Sequence, residues 1–407
     1  MKILLYSANF APEPVGIGKY SGEMAAWLAA QGHSVRVVCA PPYYPDWKLN
    51  PSYRSMRRWR ETWQGVDVWR APLWVPGKPS GLSRLMHLLS FALGSFPMML
   101  WQVFWRPDVV FTVAPSLMCA PTGKLVAWLC GAKSWLHIQD FEVDVAFQMG
   151  LLKGKQLQGF VLGLERWLFR RFDMVSSISA SMVKRLQQKG VVPCKVHLLP
   201  NWVDLAHVSP LQEPSSYRAE LGIAPGTNVA LFSGTLGAKQ GLLLIPDAAH
   251  LLKERKDIVF VVCGAGPMYE QLEIASAHLP NLLLMPLQPF ARLGDLLGLA
   301  DIHLLTQCPD AEDLVLPSKL SGMLASGRPV LATCRKGTEI AEVVAGCGLT
   351  VPPEDANAIA DALVELVDAP QLRTAMGLAA RRRAEQQMSV GAIMLALSVH
   401  LQKLVQS

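Results

Sequence analysis

The chain has 407 residues, 51% of them hydrophobic and 17% charged, so it is long enough for two or three domains with buried cores and is not a disordered segment. Its eight cysteines form no CxxC pair and several stand inside apolar runs, which indicates reduced thiols of a cytoplasmic protein rather than a disulfide framework or a zinc site. The net charge of +6 is uneven: residues 1–200 hold 23 Lys and Arg against 11 Asp and Glu, whereas residues 201–407 hold 15 against 21.

All twelve tryptophans lie at or before Trp202, eleven of them within the basic first half. Lys and Arg are attracted to anionic headgroups, and Trp settles at the membrane interface. We therefore predict that the first half faces an anionic membrane surface. Nucleic acid is the rival partner, and we predict against it because the basic residues form no recognisable nucleic-acid-binding motif.

Short, mostly apolar runs alternate with helical patterns along the chain. The first run is too short for a signal peptide and predicts a strand. Strands are predicted at residues 2–7, 34–40, 108–113, 134–138, 174–177, 196–199, 228–233, 258–263, 282–285, 302–305, 329–332 and 349–351, and helices include 18–30, 157–172, 242–253, 356–367 and 390–405. The alternation predicts the α/β class, with two Rossmann-like, doubly wound domains whose parallel sheets bind ligands beyond the carboxyl ends of their strands.

A polar stretch at residues 201–216 contains Pro210 and Pro214 and lies where the charge balance changes sign. It is predicted to be the linker between an N-terminal domain, residues 1–200, and a C-terminal domain, residues 217–388.

The first candidate binding loop is Pro14-Val-Gly16-Ile-Gly18, which follows the first strand and precedes a helix. Glycines let the backbone approach a ligand, and a helix N-terminus favours phosphate. Ser21 stands where a dinucleotide fingerprint needs a third glycine, and Cys39-Ala40-Pro41 stands where it needs an acid, which argues against an NAD enzyme. A merely structural turn explains this loop equally well.

Residues 85–105 contain no Lys, Arg, Asp or Glu and are long enough to span a bilayer. Pro97 interrupts them, and a span would divide one sheet across the membrane. A buried core helix is a second interpretation. We favour a third, a helix lying in the membrane interface, assisted by Arg54, Arg57, Arg58, Trp59 and Arg60.

The second half carries two lysines in loops that precede helices. Lys239 lies in Ser233-Gly-Thr-Leu-Gly-Ala-Lys-Gln-Gly, and Lys319 lies in Leu316-Pro-Ser-Lys-Leu; between them, Cys263-Gly-Ala-Gly-Pro predicts a tight turn after a strand. A cation beside a helix N-terminus is unfavourable unless an anion joins it. Together the two loops predict binding of the diphosphate between a base and a sugar. A solvated Lys239 is the alternative.

In this order, Gly16/Gly18, Gly234…Lys239-Gln-Gly, Gly264-Ala-Gly-Pro and Ser318-Lys…Gly-Arg-Pro329 resemble the motifs of the retaining glycosyltransferases of family four, which have the two-Rossmann GT-B fold. The resemblance covers essentially the whole chain. The opening residues, Ala40-Pro-Pro-Tyr-Tyr-Pro and Leu136-His-Ile-Gln-Asp look closer still to the fucosyltransferases of colanic acid exopolysaccharide synthesis.

The resemblance implies that two Rossmann-like domains face each other across a cleft, with the nucleotide-sugar donor bound mainly by the second. It implies a polyprenyl-diphosphate-linked glycan acceptor on the N-terminal side, a peripheral position on the cytoplasmic face of the inner membrane, and no metal or cofactor. Basic side chains and helix dipoles take over the charge role of a metal. A C-terminal helix in residues 389–407 is expected to pack back on the first domain.

Carried over residue by residue, the family's pattern assigns Asp140 to the reacting sugar and Lys239 to the leaving diphosphate as the catalytic residues. The residues expected to bind the donor are Gly16, Gly18, Gly234, Thr235, Lys239, Gly264, Gly266, Ser318 and Lys319.

The chain departs from the family at several positions. The usual glutamate pair falls on Leu314 and Gly322, for which Glu312 or Asp313 are candidate substitutes, and Thr235 stands near a usual arginine. Gln139 replaces a histidine that contacts the sugar's 6-hydroxyl in relatives, which suits a 6-deoxy sugar such as the fucose of GDP-fucose.

Three further expectations concern single side chains near Asp140. Glu142 and Asp144 either deprotonate the acceptor or pair with arginines, and pairing is favoured. His137 is expected to be a hydrogen-bonded strand histidine rather than a metal ligand.

Two other functions stay open. One is a UDP-sugar-dependent transferase of the same fold, since the choice of base depends on residues 287–290. The other is a non-catalytic glycan-binding or lipid-binding protein on the same scaffold.

Overall fold

The computed structural model describes residues 1–53, 59–77, 81–115, 117–144, 155–309 and 317–406. The chain divides into two compact units, one of residues 1–200 with 394–407 and the other of residues 201–393. Each unit is built on one sheet. The α/β class with two Rossmann-like domains is thereby confirmed.

The sheet of the first unit has the strand order β3-β4-β2-β1-β5-β6-β7-β8. Its strands are β1 (Lys2–Ser7), β2 (Ser34–Cys39), β3 (Arg60–Trp63), β4 (Val66–Arg70), β5 (Val109–Ala114), β6 (Lys133–Ile138), β7 (Met174–Ser177) and β8 (Val196–Leu198). Its helices are α1 (Gly16–Ala30), α2 (Gly81–Trp101), α3 (Ala120–Cys130), α4 (Lys155–Arg171) and α5 (Ala180–Gln188). The central strands are buried on both faces, as their continuous apolar runs predict.

The edge of this sheet corrects the prediction of purely parallel strands. Strand β3 runs antiparallel to β4, and neither was predicted, because both mix charged and apolar residues. Gln64 and Gly65 connect them, both with positive φ, which suits the turn of a two-residue hairpin. Arg70 is buried and pairs with Glu61 at 2.6 Å. The fold thus neutralises the arginine charge that made β4 hard to predict as a strand.

The sheet of the second unit is parallel, in the order β11-β10-β9-β12-β13-β14. Its strands are β9 (Asn228–Thr235), β10 (Ile258–Ala265), β11 (Leu282–Met285), β12 (Ile302–Leu305), β13 (Val330–Thr333) and β14 (Gly348–Val351). The chain winds outward in both directions from β9, so the strand order reverses between β9 and β12. Such a reversal opens a ligand crevice at the carboxyl ends of these two strands.

The remaining helices are α6 (Tyr217–Glu220), α7 (Leu244–Leu251), α8 (Tyr269–Ser276), α9 (Leu293–Gly298), α10 (Lys319–Ala325), α11 (Glu339–Val344), α12 (Ala356–Asp368), α13 (Pro370–Gln387) and α14 (Val390–Gln406). Residues 201–216, predicted as a linker, are part of the second unit. There the Val203 N–H donates to the Met388 carbonyl at 2.9 Å. From Met394 onward, α14 belongs to the first unit.

Helix α2 contains most of the apolar segment and is neither wholly buried nor wholly exposed. With the short 3-10 turn that follows it, residues Gly81–Trp105 are long and apolar enough to cross a membrane. Its inner face is nevertheless tied to the unit: Ser95 Oγ lies 2.6 Å from the Tyr6 hydroxyl of β1, and His87 Nδ1 lies 2.7 Å from the Trp74 carbonyl. Of the residues expected to assist α2, Arg60 begins β3 and pairs with Asp67, Trp59 precedes it, and Arg54, Arg57 and Arg58 lie outside the described residues.

Candidate functional site

Two glycine-bearing loops meet at the carboxyl ends of β9 and β10. The parallel register pairs Gly234 with Gly264. A Cβ atom at Gly264 would overlap the Gly234 carbonyl, and one at Gly266 would overlap the carbonyl of Leu236. The loops are also hydrogen-bonded, since the Leu236 N–H donates to the Ala265 carbonyl at 2.9 Å. Only glycine permits this approach, which leaves a thin edge of backbone that a ligand can reach.

The loop after β9 continues to the chain that follows β12. The Cys308 N–H donates to the Lys239 carbonyl at 3.0 Å, and Gly241 turns the chain with a φ of 58°. A side chain at Gly241 would crowd the backbone of Gln307. The backbone of Lys239 is therefore held at the point where the strand order reverses, while its side chain is exposed.

Lys319, the first residue of α10, reaches the same place from the other side of the crevice. Its Nζ donates to Gln240 Oε1 at 3.2 Å and lies 3.7 Å from the centroid of the Phe232 ring. Its stem passes beside Gly234, a glycine with a positive φ of 136°. Burial lowers the pKa of Lys319 to about 7. In the described part of the chain, no carboxylate forms an ion pair with Lys319, and an anion is the kind of neighbour that stabilises a buried ammonium group.

The structure thus brings together Gly234, Thr235, Gly264, Gly266 and Lys319, around the backbone of Lys239. Thr235 is exposed at the end of β9. Ser318 precedes α10, is exposed, and its side chain makes no capping hydrogen bond. These positions fit the predicted roles, which stay predictions.

Sequence reasoning missed two polar residues in this crevice, Thr306 and Gln307, directly after β12. Both are buried, and among the described residues neither Thr306 Oγ1 nor Gln307 Oε1 has a hydrogen-bond partner. Their backbone is fixed, since the Gln307 N–H donates to Thr333 Oγ1 at 2.8 Å. A polar pair at the end of the apolar run 302–305 is the signal that could have revealed them.

Of the two positions where the family usually has glutamates, the structure describes one, Gly322. Gly322 lies in α10, and a Cβ atom added there would meet the side chain of Leu297. Leu314, Glu312 and Asp313 lie outside the described residues, so the substitution of one acid for another stays a prediction.

In the first unit, Gly16 and Gly18 begin α1 beside a buried acid that the sequence analysis did not identify. A Cβ atom at Gly18 would overlap the Glu13 carboxylate. Glu13 accepts hydrogen bonds from Asn9 Nδ2 at 2.9 Å and from the backbone N–H groups of Tyr43 and Tyr44 at 3.1 Å. Burial raises the pKa of Glu13. An isolated acid between Pro12 and Pro14 was the available signal.

Asp140 follows β6 and is exposed. It lies within electrostatic reach of Tyr44: burial raises the pKa of Tyr44, Arg84 lowers it, and the charges of Glu13 and Asp140 raise it further. A Cβ atom at Gly16 would lie 3.7 Å from the Tyr44 ring. Tyr44 therefore connects the Gly16 loop and Asp140 along one edge of the first unit.

The neighbours of Asp140 are held in place by hydrogen bonds. Gln139 is buried and its Nε2 lies 3.2 Å from His137 Nε2, while His137 Nδ1 lies 2.9 Å from Ser176 Oγ. Burial lowers the pKa of His137 to about 3, so it is a neutral, hydrogen-bonded strand histidine, as predicted.

The expected pairing with arginine is seen for Asp144, the second of the two acids that follow Asp140. Asp144 accepts from Arg185 Nε at 2.9 Å and pairs with Lys189 at 3.1 Å. Glu142 accepts a hydrogen bond from the Leu117 backbone N–H at 2.8 Å. Both contacts anchor the turn that carries Asp140.

Two family profiles match the chain, one in each unit. Residues 15–202 match the glycosyl transferase 4-like domain, and residues 227–369 match the glycosyl transferases group 1. The chain is 40% identical over 384 residues to WcaI of Escherichia coli K12, covering 92% of this chain and 94% of WcaI. The name of WcaI describes a glycosyl transferase of colanic acid biosynthesis.

Solved structures of low sequence identity share the fold. Sucrose-phosphate synthase from Thermosynechococcus elongatus superposes with a TM-score of 0.73 at 18% identity, over 99% of this chain and 98% of that one. HepE of Anabaena, crystallised with UDP, gives a TM-score of 0.70 at 16% identity, over 99% of this chain and 100% of its own. Both likenesses concern the fold alone.

Proposed function

This chain belongs to the group 1 glycosyltransferases of the GT-B fold, and from this premise we propose that it transfers fucose from GDP-fucose to a polyprenyl-diphosphate-linked glycan. By its similarity to WcaI it is a glycosyltransferase of colanic acid biosynthesis. The proposal adds the donor, the acceptor and a retaining mechanism.

The observation that carries the donor proposal is the environment of Lys319. A lysine whose pKa is lowered to about 7 by burial, with an amide oxygen and an aromatic ring as its contacts, is poised to receive an anion. The backbone edge at Gly234 and Gly264 lies beside it. As the bond to the sugar breaks, charge accumulates on the departing diphosphate, and Lys319 and Lys239 stabilise that charge. No metal is part of this proposal.

The sugar proposal rests on Gln139 and Asp140. Gln139 directs its amide nitrogen toward His137 and is buried beside Asp140. In the family that this chain resembles, a histidine at the position of Gln139 contacts the 6-hydroxyl of the sugar. Its replacement favours a 6-deoxy sugar, with Asp140 acting on the reacting sugar. The proposed location is the cytoplasmic face of the inner membrane, where polyprenyl-linked acceptors are available.

Thermal stabilisation by a panel of GDP, GDP-fucose, GDP-mannose, UDP and UDP-glucose tests the proposal. A ligand raises the stability of the state that it binds by about 2.7 kcal/mol at one hundred times its dissociation constant. We expect GDP and GDP-fucose to raise the melting temperature of the wild type, and both Lys239→Ala and Lys319→Met to reduce that rise. Lys253→Ala is the control, since Lys253 is exposed and lies before β10, at the opposite edge of the sheet.

Each alternative has its own outcome. A selective response to UDP compounds would retain the enzyme class and overturn the donor. A clear preference for GDP-mannose over GDP-fucose would overturn the sugar. Absence of any nucleotide response would favour a non-catalytic glycan-binding or lipid-binding protein, a candidate supported by Gly322, which has no carboxylate where relatives have one.

A further inference from the structure

The outer face of α2 carries a regular stripe of exposed apolar side chains. Leu82, Met86, Leu89, Leu93 and Phe96 recur at intervals of three and four residues and are all exposed, Leu93 to 67%. This spacing places them on one side of a helix. The opposite side, which includes Phe91 and Met99, is buried in the first unit. The stripe is therefore the solvent-facing side of a helix whose other side packs on the first unit.

The stripe continues onto two neighbouring helices, because α2 packs on α3 and α3 packs on α4. Trp128 and Leu129 are exposed on α3, and Phe160, Leu164 and Trp167 are exposed on α4. We call the outward faces of α2, α3 and α4 the three-helix surface. So many exposed apolar side chains on three neighbouring helices are unusual on a soluble monomer and indicate a contact with a partner or a membrane.

The charges on the three-helix surface have one sign. Helices α2 and α3 contain no Asp or Glu, and the single acid of α4, Glu165, is buried against Lys189. Arg84 on α2 is exposed, as are Arg166, Arg170 and Arg171 on α4. The guanidinium of Arg171 lies 5.1 Å from the centroid of the Trp167 ring. An arginine beside a tryptophan combines attraction to anionic headgroups with the interfacial preference of the indole.

The contacts of α2 also determine how it could meet a membrane. Its inner face is hydrogen-bonded to the unit through Ser95 and His87, and Gln102, just beyond α2, accepts a hydrogen bond from Arg36 Nη1 at 2.9 Å. A spanning orientation would expose these polar groups to hydrocarbon, which is costly. A helix lying in the membrane plane keeps them and buries only the stripe.

We propose that the three-helix surface docks in the headgroup region of an anionic bilayer, with α2 in the membrane plane and the arginines of α4 on lipid phosphates. This proposal rests on the proposed function only for the biological role of the surface, which would hold the enzyme beside a lipid-linked acceptor. The membrane contact itself is argued from the three-helix surface alone.

Co-sedimentation with vesicles tests this surface. The probes are vesicles of phosphatidylcholine alone and of phosphatidylcholine with phosphatidylglycerol in equal parts. The full chain is compared with the double variant Leu93→Ser/Phe160→Ser. The control is Ile274→Ser/Leu378→Ser, at two side chains of the second unit that are 70% and 57% exposed. Because all four side chains are exposed, neither double variant is expected to disturb the fold.

We expect the wild type and the control to bind the anionic vesicles, more weakly as salt is raised, and to bind phosphatidylcholine poorly. The first double variant should bind the anionic vesicles at least about tenfold more weakly than the wild type, since it removes two large apolar groups from the contact. Equal binding to both vesicle types, or equal loss in both variants, would overturn the proposal.

A dimer of the wild type that the first double variant dissociates, without vesicle binding, would also overturn it, because the surface would then join two copies of the chain. The nucleotide experiment is performed without vesicles. Vesicle binding without a nucleotide response would therefore support the membrane-docking surface and contradict the proposed function alone.

Discussion

At the scale of single residues, both the sheet of the second unit and its candidate site require glycine at position 264, which has a hydrogen atom in place of a Cβ. We predict that Gly264→Ala forces β9 and β10 apart at their ends, because the new methyl group would overlap the Gly234 carbonyl. Overpacking of this kind costs about 1–3 kcal/mol. The melting temperature should fall, and stabilisation by nucleotide should be lost.

Gly237→Ala in the same loop is the matched control for that experiment. Gly237 has an ordinary negative φ of −104°, and no atom of the described residues lies within 4 Å of the position of an added Cβ. This variant should melt within about 0.5 kcal/mol of the wild type. If both variants behave alike, the close approach at Gly264 is not what shapes the loop.

His303 predicts a loss of stability in acid. Ser326 Oγ donates to the Met323 carbonyl at 2.7 Å, so His303 Nε2, 2.9 Å from that oxygen, is the protonated nitrogen. The other ring nitrogen, Nδ1, is buried and has no hydrogen-bond partner in the part of the chain that the structure describes. Burial lowers the pKa of His303 to about 3, against 6.5 for the free side chain. Below pH 6.5 this histidine binds a proton in the unfolded chain but stays neutral in the folded chain. The free energy of unfolding therefore falls as the pH is lowered.

We predict that this histidine alone removes about 1.4 kcal/mol of unfolding free energy per pH unit below 6.5. His303→Leu should reduce the acid loss in the transition of the second unit, measured by urea unfolding at pH 7.5 and pH 5.0. At pH 7.5 the histidine is neutral in both states and contributes no such term. An unchanged difference between the two pH values in the variant would contradict the assignment.

At the scale of elements, α14 is the clearest case of a helix whose two faces have different roles. Met394, Leu397 and Leu401 are buried, whereas Leu395 is 61% exposed. We predict that Leu397→Ala costs about 2–5 kcal/mol, because it leaves a cavity in the packing of α14, and that Leu395→Ala costs under about 0.5 kcal/mol. Thermal unfolding of both variants measures the contrast. Equal effects would mean that α14 is not packed through this face.

The hairpin of β3 and β4 shows why some elements escape prediction. Charged residues interrupt both strands, and the burial of Arg70 depends on Glu61 across the hairpin. The turn Gln64-Gly65 was a local signal for it. The central strands, by contrast, are predictable within two residues at each end, because burial on both faces requires continuous apolar runs.

At the scale of the whole molecule, the uneven charge corresponds to two units with different surfaces. The first unit combines a basic composition with the three-helix surface. The second, drawn from the acidic half of the chain, contains the glycine loops and Lys319 at the reversal of its strand order. The donor experiment and the vesicle experiment therefore examine separate units, and their results are independent.

The sequence by itself determined the α/β class, nearly all the strands, the family and the positions of the glycine loops. These features follow from local patterns, namely the continuous apolar runs of buried strands and the glycines that turns and close approaches require. The resemblance to the family depends on the same short motifs, of which Gly264-Ala-Gly-Pro is one.

Only the tertiary structure decided which polar and apolar groups are buried. Lys319 has a lowered pKa because it is buried beside Phe232 and Gln240, which lie far away in the chain. Thr306 Oγ1 and Gln307 Oε1 are likewise buried, and neither has a hydrogen-bond partner among the described residues. The division of α2 into a buried and an exposed face depends on the sheet beneath it. Burial is a property of contacts between distant segments, so no local pattern contains it.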